Sequence, residues 1–321
     1  MEAASTILRF VTAACSRRLR KNRDRVAQAE KSVLKTTQLP CPMCHAPGSS
    51  LLTTRGYRGK EYSLALCGLC GQHFCVPPPS ASEIAAFYEG DYHGSLRTPG
   101  ASESKFGPKF RRYRDWVLEF LKGGRSLDIG TSTGLFPHLL KQAGFQAEGL
   151  EFNPASAAWG EANYGIRIRT CSLEETGEPP ASFDLISMTD VLEHTESPVH
   201  YLEMVRRYLK PGGYLLVTFP DINSPESRYL RFFARVFGRD WIWSTCHIPL
   251  HVWEFTPKTA RAMFHKAQFD VVDFRRSHET EADTPEIPAL ALIHLPLKIL
   301  ANPAVGRLAG TQMEFLVRRS D

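Results

Sequence analysis

Residues 126–151 read SLDIGTSTGLFPHLLKQAGFQAEGLE, and this stretch decides the fold. Ser126 to Gly130 is a short buried strand carrying one carboxylate, Asp128. Gly130-Thr-Ser-Thr-Gly134 is a turn, Leu135 to Ala143 continues as a helix, and Gly144 ends it. Phe145 to Glu151 is the next strand. Strand, glycine turn, helix and strand form a βαβ unit, which predicts a parallel sheet of the α/β class. A glycine-rich strand-to-helix turn lets backbone approach a ligand closely. Glu151 ends the second strand, where a carboxylate can accept both hydroxyls of a ribose. Asp128 can orient the loop or take up a cationic amine.

Two ligand classes fit the turn poorly. The dinucleotide fingerprint GxGxxG lacks its second and third glycines, since Ser132 and Leu135 follow Gly130 at those places. GTSTG also satisfies the nucleophile-elbow pattern GxSxG. Ser132 comes early for that, in the first strand's loop, and a matching Asp and His would be needed later.

The flanking sequence extends the alternation of strand and helix. Upstream, Lys105 to Lys122 carries Phe110, Tyr113, Trp116, Val117, Phe120 and Leu121 at helical spacing, with Gly123 and Gly124 expected to end the helix. Downstream, Asp184 to Met188 is a compact strand. Residues 197–209 repeat helically through Val199, Leu202, Val205 and Leu209, and Pro211-Gly212-Gly213 is a sharp turn. Leu215, Leu216, Val217 and Phe219 mark a buried strand. Phe269 to Phe274 and Met313 to Val317 supply two more.

These motifs together resemble the class I S-adenosylmethionine-dependent methyltransferases over most of residues 124–275. The family's acidic residue followed by alternating glycines stands as Asp128, Gly130, Ser132 and Gly134, with serine replacing the middle glycine. Glu151 matches the ribose-binding acid. Cys171 and Ser172 follow the third strand, where a side chain or amide meets adenine. Phe183 to His194, with Asp190 on the cofactor pocket, matches the fourth strand and its edge. Leu209-Lys-Pro-Gly-Gly213 and the following strand match the fifth. The resemblance implies a Rossmann-like seven-stranded sheet in the order 3-2-1-4-5-7-6, with the seventh strand antiparallel. It also implies S-adenosyl-L-methionine as cofactor.

The cysteines point to a second unit. CPMC (Cys41, Cys44) and CGLC (Cys67, Cys70) are two CxxC pairs separated by 22 residues. Two such turns can complete a tetrahedron of sulfurs around structural zinc, with no position open for water. A small N-terminal zinc-ribbon-like domain is therefore expected. Nearby His45, His73 and Cys75 are assigned to packing or surface roles. The pattern suits a reducing compartment, so a cytoplasmic location is expected. Zinc-bearing bacterial sugar and small-molecule methyltransferases share this layout, including a segment like Tyr88-Glu-Gly-Asp-Tyr92. The predicted organisation is a basic extension (1–38), the zinc knuckle (39–79), a linking helical segment (80–123) and the methyltransferase domain (124–321), with a substrate cap at 221–256.

Charge narrows the partners. The net charge of the 321-residue chain is +5, but residues 1–35 hold nine Lys/Arg against three Asp/Glu. The remainder is nearly neutral and gives no strong nucleic-acid signal. The order of charge and apolar residues in 1–35 is wrong for a secretory signal. A mitochondrial-type targeting peptide, a basic amphipathic helix on an anionic surface and a plain helical extension all fit that segment. No apolar run is long enough to span a membrane.

Three histidines are candidate bases for the acceptor: His194, and His247 and His251 in the tryptophan-rich stretch 241–256. Cys246 with His247 and His251 also reads as a metal set. Thr256 and Pro257 are expected to start a helix. The proline-broken apolar segment 285–300 fits packing on the domain, a homodimer contact or a peripheral membrane contact. The favoured reading is methyl transfer to a small-molecule acceptor, sugar-linked or lipid-linked ahead of protein. Its rival is a non-catalytic zinc-containing module for protein or nucleic acid on a methyltransferase-like scaffold.

Overall fold

A computed structural model describes residues 36–37, 39–80, 82–84, 94–229, 231, 248–277 and 310–320. The extension 1–35, the YEGDY segment, Trp241, Trp243, Cys246, His247 and the apolar stretch 285–300 lie outside the described residues.

The N-terminal cysteines sit on a small antiparallel sheet. Strand β1 is Thr36–Thr37, β2 is Ser49–Tyr57, β3 is Lys60–Cys67 and β4 is His73–Val76. Arg58 and Gly59 join β2 to β3, both at positive φ (47° and 79°), as a tight hairpin turn requires. Ser80 and Glu83 then cap one another, Glu83 N–H donating to the Ser80 hydroxyl and Ser80 N–H to the Glu83 carboxylate.

Helix α1 (Ala101–Phe120) leads into the main sheet. It starts earlier than its apolar pattern suggests and stops at Phe120, with Leu121 already extended. Gly123 and Gly124 are not its cap; Gly124 begins β5 (Gly124–Ile129). The chain continues through α2 (Leu135–Gln142), β6 (Phe145–Leu150), α3 (Pro154–Tyr164), β7 (Arg167–Arg169) and β8 (Phe183–Thr189). Then come α4 (Pro198–Tyr208), β9 (Leu209–Pro220), β10 (Trp253–Glu254), α5 (Pro257–Lys266), β11 (Phe269–Ser277) and β12 (Gln312–Arg319). Thr256 caps α5 by accepting from Thr259 N–H, with Pro257 at the first helical position.

The main sheet has seven strands in the order β11-β12-β9-β8-β5-β6-β7. β12 is antiparallel to both neighbours and the other pairings are parallel. Counted within the sheet, this is the 3-2-1-4-5-7-6 order of a Rossmann-like methyltransferase sheet. Pro211-Gly212-Gly213 is a turn held inside a strand. The register jumps from Phe183↔Leu209 to Leu185↔Tyr214, so Lys210 to Gly213 bulge out and the Lys210 ammonium donates to both oxygens of Asp184.

Alternate residues of the central strands feed two cores. Leu185, Leu216 and Leu316 pack with Tyr113, Trp116 and Val117 of α1. Ile186, Leu215 and Val217 pack on the other face with α4 and α5 residues such as Leu202 and Phe264. This second core runs on without a break into Cys41, Met43, Cys67 and Phe74. β10 moreover pairs antiparallel with β4, as Phe74↔Trp253 and His73↔Glu254. The cysteine-bearing sheet thus borrows its fifth strand from the chain between β9 and α5. No helix among the described residues is long and apolar enough to cross a membrane.

Candidate functional site

The glycine turn sits at the carboxyl end of β5, beside the point where the strand order reverses, the usual ligand crevice of an open α/β sheet. Gly130 has φ 73°, and a Cβ there would stand 2.6 Å from Cγ2 of Val191. Left-handed backbone and lack of room together require glycine. Gly134 also has positive φ (80°) and precedes α2. The Glu151 carboxylate clasps the turn: one oxygen accepts from Ser132 N–H at 2.7 Å, the other from Asn153 N–H at 2.8 Å. Burial lifts its proton affinity above the usual carboxylate range, and the backbone donors of Asn153, Ser132 and Phe152 pull against that rise. Asp128 is fully buried beneath, accepting from the Ser187 hydroxyl at 2.6 Å. Burial pushes its pKa up to about 7, with the Ser187 and Thr131 hydroxyls working against the rise.

Ser132 occupies left-handed backbone, φ 52°, where the family carries glycine. Its hydroxyl oxygen is buried with no hydrogen-bond partner among the described residues. That orphaned oxygen and the tight turn fit a polar ligand lying on the loop. Left-handed backbone costs a non-glycine residue about 1–2 kcal/mol, and glycine's extra freedom in the unfolded chain offsets about 0.4–1 kcal/mol of any relief. Ser132→Gly is therefore expected to leave stability unchanged or raise it by up to about 1.6 kcal/mol. Urea unfolding checks this, and a clear loss would mean that the hydroxyl itself supports the turn.

Phe152, next to Glu151, is 72% exposed at the end of β6 and was not singled out from sequence. A bare aromatic face there suits a flat heterocycle. Cys171 is half-buried just after β7. Ser172 has committed its amide to the Glu175 carboxylate, and its hydroxyl accepts from Glu175 N–H.

Asp190 follows β8 and is likewise left-handed, φ 58°. Lys109 of α1 reaches one of its oxygens at 2.8 Å. Thr218 of β9 and Gln312 of β12 donate to the other. Desolvation opposes its charge, but the Lys109 ammonium and these donors win and hold the carboxyl below its usual range. Lys109 and Gln312 were not visible from sequence.

The acceptor-side candidates meet beside it. His194 lies in a single 3-10 turn, Leu192–His194, rather than starting the next helix. Its Nδ1 is 2.9 Å from the Leu250 carbonyl, an acceptor only, so Nδ1 carries the proton and Nε2 holds the lone pair. Burial, with His251 adjacent, pushes His194 down to about 4 and keeps it neutral. The His251 ring stands edge-on to it at 4.8 Å. Donor atoms of Glu193, His194 and His251 all lie within 4.8 Å of one another, and Glu254 approaches Nδ1 of His251 to 3.3 Å. His247 and Cys246 lie outside the described residues.

The four cysteines converge. Sγ atoms of Cys41 and Cys70 are 3.7 Å apart, and those of Cys44 and Cys67 are 3.6 Å apart. A tetrahedron with Zn–S bonds of about 2.3 Å has edges of roughly 3.8 Å, so the set fits a structural zinc. The two knuckles close alike. His45 N–H donates to Cys41 O and Gly71 N–H to Cys67 O. Cys41 N–H donates to Ala46 O and Cys67 N–H to Gln72 O. His45 and Gly71 are both left-handed, so His45 closes a turn. His73 is buried, and burial pushes it down to about 4; Cys75 is buried with its thiol on the Pro77 carbonyl.

Residues 107–273, just over half of the chain, match the family described as methyltransferase domain. Among curated relatives, the chain is 28% identical over 159 residues to a ubiquinone biosynthesis O-methyltransferase of Cereibacter sphaeroides, covering 47% of this chain and 62% of that protein. It is 29% identical over 136 residues to the Pseudomonas aeruginosa protein of the same name, covering 40% and 56%. The chain thus matches less than two thirds of the length of each. The fold is similar to that of Burkholderia thailandensis 1,6-didemethyltoxoflavin-N1-methyltransferase, solved with bound 1,6-didemethyltoxoflavin and S-adenosylhomocysteine. That match has TM-score 0.50, 16% identity, and covers 83% of this chain and 99% of that one. Sheet order, acid-and-glycine turn and family match agree, and the chain belongs to the methyltransferase domain family.

Proposed function

We propose that this protein is an S-adenosylmethionine-dependent methyltransferase acting on a small-molecule acceptor, with structural zinc on Cys41, Cys44, Cys67 and Cys70. The observation that carries it is Glu151, which braces the glycine turn through Ser132 and Asn153 beside the bare ring of Phe152. In this reading Glu151 takes the ribose hydroxyls, Phe152 and Cys171 flank the adenine, and Asp128 and the backbone of Gly130 to Gly134 hold the methionine end. Bound there, S-adenosylmethionine supplies a methyl group already activated on a sulfonium. The chain must then align the acceptor, exclude water and take its proton. His194, whose Nε2 holds the lone pair, and His251 are the described groups suited to that; Asp190, fixed by Lys109 and Gln312, lines the cofactor side.

Hydroxyl acceptors come first, because the curated relatives are named O-methyltransferases. Sugar-linked and lipid-linked hydroxyls are the classes to screen. The deciding experiment is calorimetric titration of the metal-replete protein with S-adenosylmethionine and, separately, NADH. Selective binding of the first supports the reading; no binding by the folded protein overturns it.

Asp128 makes the binding pH-dependent. With a pKa near 7, the free carboxyl holds its proton through the acid range. A cation beside it favours the charged form, so binding there must expel that proton. Affinity is expected to rise from about pH 5.5 toward 7 and flatten above it, with proton release read from titrations in buffers of different ionisation heat. Asp128→Asn should remove this dependence. A flat profile in the wild type would place the amine elsewhere.

A further inference from the structure

The cysteine-bearing sheet and the acceptor side are laced together through one buried side chain. Gln72 follows the second knuckle. Its backbone carbonyl accepts the Cys67 N–H at 3.0 Å, which closes that knuckle. Its side-chain amide donates to the His73 carbonyl at 2.8 Å and to the Glu254 carbonyl at 3.1 Å. Gln72 is wholly buried, so loss of either bond leaves a carbonyl without water to replace it.

The lacing continues past Glu254. Cys75 N–H of β4 donates to the Val252 carbonyl at 2.8 Å, and Val252 N–H donates to the Glu193 carbonyl at 2.9 Å. Trp253 stands over Phe74 and sends its indole N–H to the Thr195 carbonyl at 2.8 Å. Three layers result: ribbon strand β4, residues 250–254, and the turn carrying Glu193 and His194. His251 is held in the middle layer, between the His194 ring and the Glu254 carboxylate.

We propose that Gln72 and Glu254 are positioning residues for the acceptor side, and that through them the four-cysteine knuckle fixes the ring of His251. Gln72 sets the backbone of β10 against the knuckle. Glu254 faces Nδ1 of His251, which selects the ring's orientation and directs Nε2 away from the carboxylate. The zinc unit then serves as the outer wall of the acceptor side rather than as a separate module. The inference rests on the reading of His251 as an acceptor-side group. It requires no acceptor to be known for its test.

The test uses the full-length, zinc-loaded protein labelled with 15N-histidine. Imidazole nitrogen spectra read the tautomer of His251, assigned by its absence in His251→Asn. Amide exchange of Cys75 and Val252 reads the seams between the layers. In the wild type His251 is expected to give one sharp set of imidazole signals, as a ring held in a single orientation does. Gln72→Leu keeps volume and removes the amide. It should keep one zinc per chain and bind S-adenosylmethionine within twofold of wild type. It should also show a mixed or shifted His251 signal and at least tenfold faster exchange at Cys75. Glu254→Gln keeps the backbone bonds and should change the His251 signal while leaving Cys75 exchange alone. If Gln72→Leu fails to fold, Glu254→Gln decides. An unchanged His251 signal in the variants, with cofactor still bound, overturns the proposal. Absence of S-adenosylmethionine binding in the wild type overturns the methyltransferase reading instead, and the spectra of His251 distinguish the two failures.

Discussion

Glu151→Ala is expected to weaken S-adenosylmethionine binding by at least about 100-fold, which corresponds to about 2.7 kcal/mol. The carboxylate performs two tasks. It accepts the Ser132 and Asn153 N–H groups at 2.7 and 2.8 Å, shaping the turn before any ligand arrives. Hydrogen bonds of this charged kind are worth about 1.5–3 kcal/mol each. In the proposed complex it also receives the ribose hydroxyls, which alanine cannot do. Glu151→Gln separates the tasks. One amide oxygen can still accept from a backbone N–H, but the NH2 group then faces the other donor. Its binding should fall between wild type and alanine. Calorimetric titration checks the series, with thermal melting as the control for folding. A loss smaller than tenfold in Glu151→Ala would remove Glu151 from the cofactor site and leave it as a brace for the loop.

Local features of this site are legible in sequence because they are short-range. Asp128, Gly130, Gly134 and Glu151 lie within one βαβ unit, where glycine spacing and alternation of strand and helix suffice. The cysteine cluster is legible for the same reason, since each CxxC is a self-contained turn. What sequence hid depends on distant chain. Asp190 gains Lys109 from 81 residues before it and Gln312 from 122 after it. Neither has a local pattern that sets it apart from an ordinary surface residue. The pairing of β4 with β10 brings together residues 73–74 and 253–254, and two-residue strands leave no alternation to read. Predicting the strand order required the family resemblance. Phe152 could have been noticed, since an aromatic residue just past the end of β6, directly after Glu151, has no strand neighbours to bury it. Pro211-Gly212-Gly213 reads as a sharp turn, but only the distant Asp184, paired with Lys210, shows it to be a bulge within β9.

If the four cysteines hold zinc as proposed, stripping it should have the largest effect on stability. Apparent zinc-binding energies of about 10–16 kcal/mol sustain isolated zinc fingers that have little else to hold them. Here the β2–β3 hairpin and the shared core retain part of the fold, so a smaller loss of about 3–5 kcal/mol is expected. That lowers the melting temperature by roughly 4–7 °C in a protein of this size. Cys67→Ser should reproduce it, since removing one thiolate opens the tetrahedron and frees the knuckle that Gln72 closes. The damage should not stop at the ribbon. Cys41, Met43, Cys67 and Phe74 share a core with Val252, Trp253 and Leu192, so loosening the knuckles uncovers the residues that hold the His194 turn. The glycine turn is braced from within its own βαβ unit and should survive, with S-adenosylmethionine affinity reduced by less than fivefold. Metal analysis, melting curves and titration of the chelated protein check all three points. Melting unchanged after complete metal removal would show that the sheet is held by its core alone. Cofactor binding lost in step with the metal would mean that both ends of the molecule unfold as one unit.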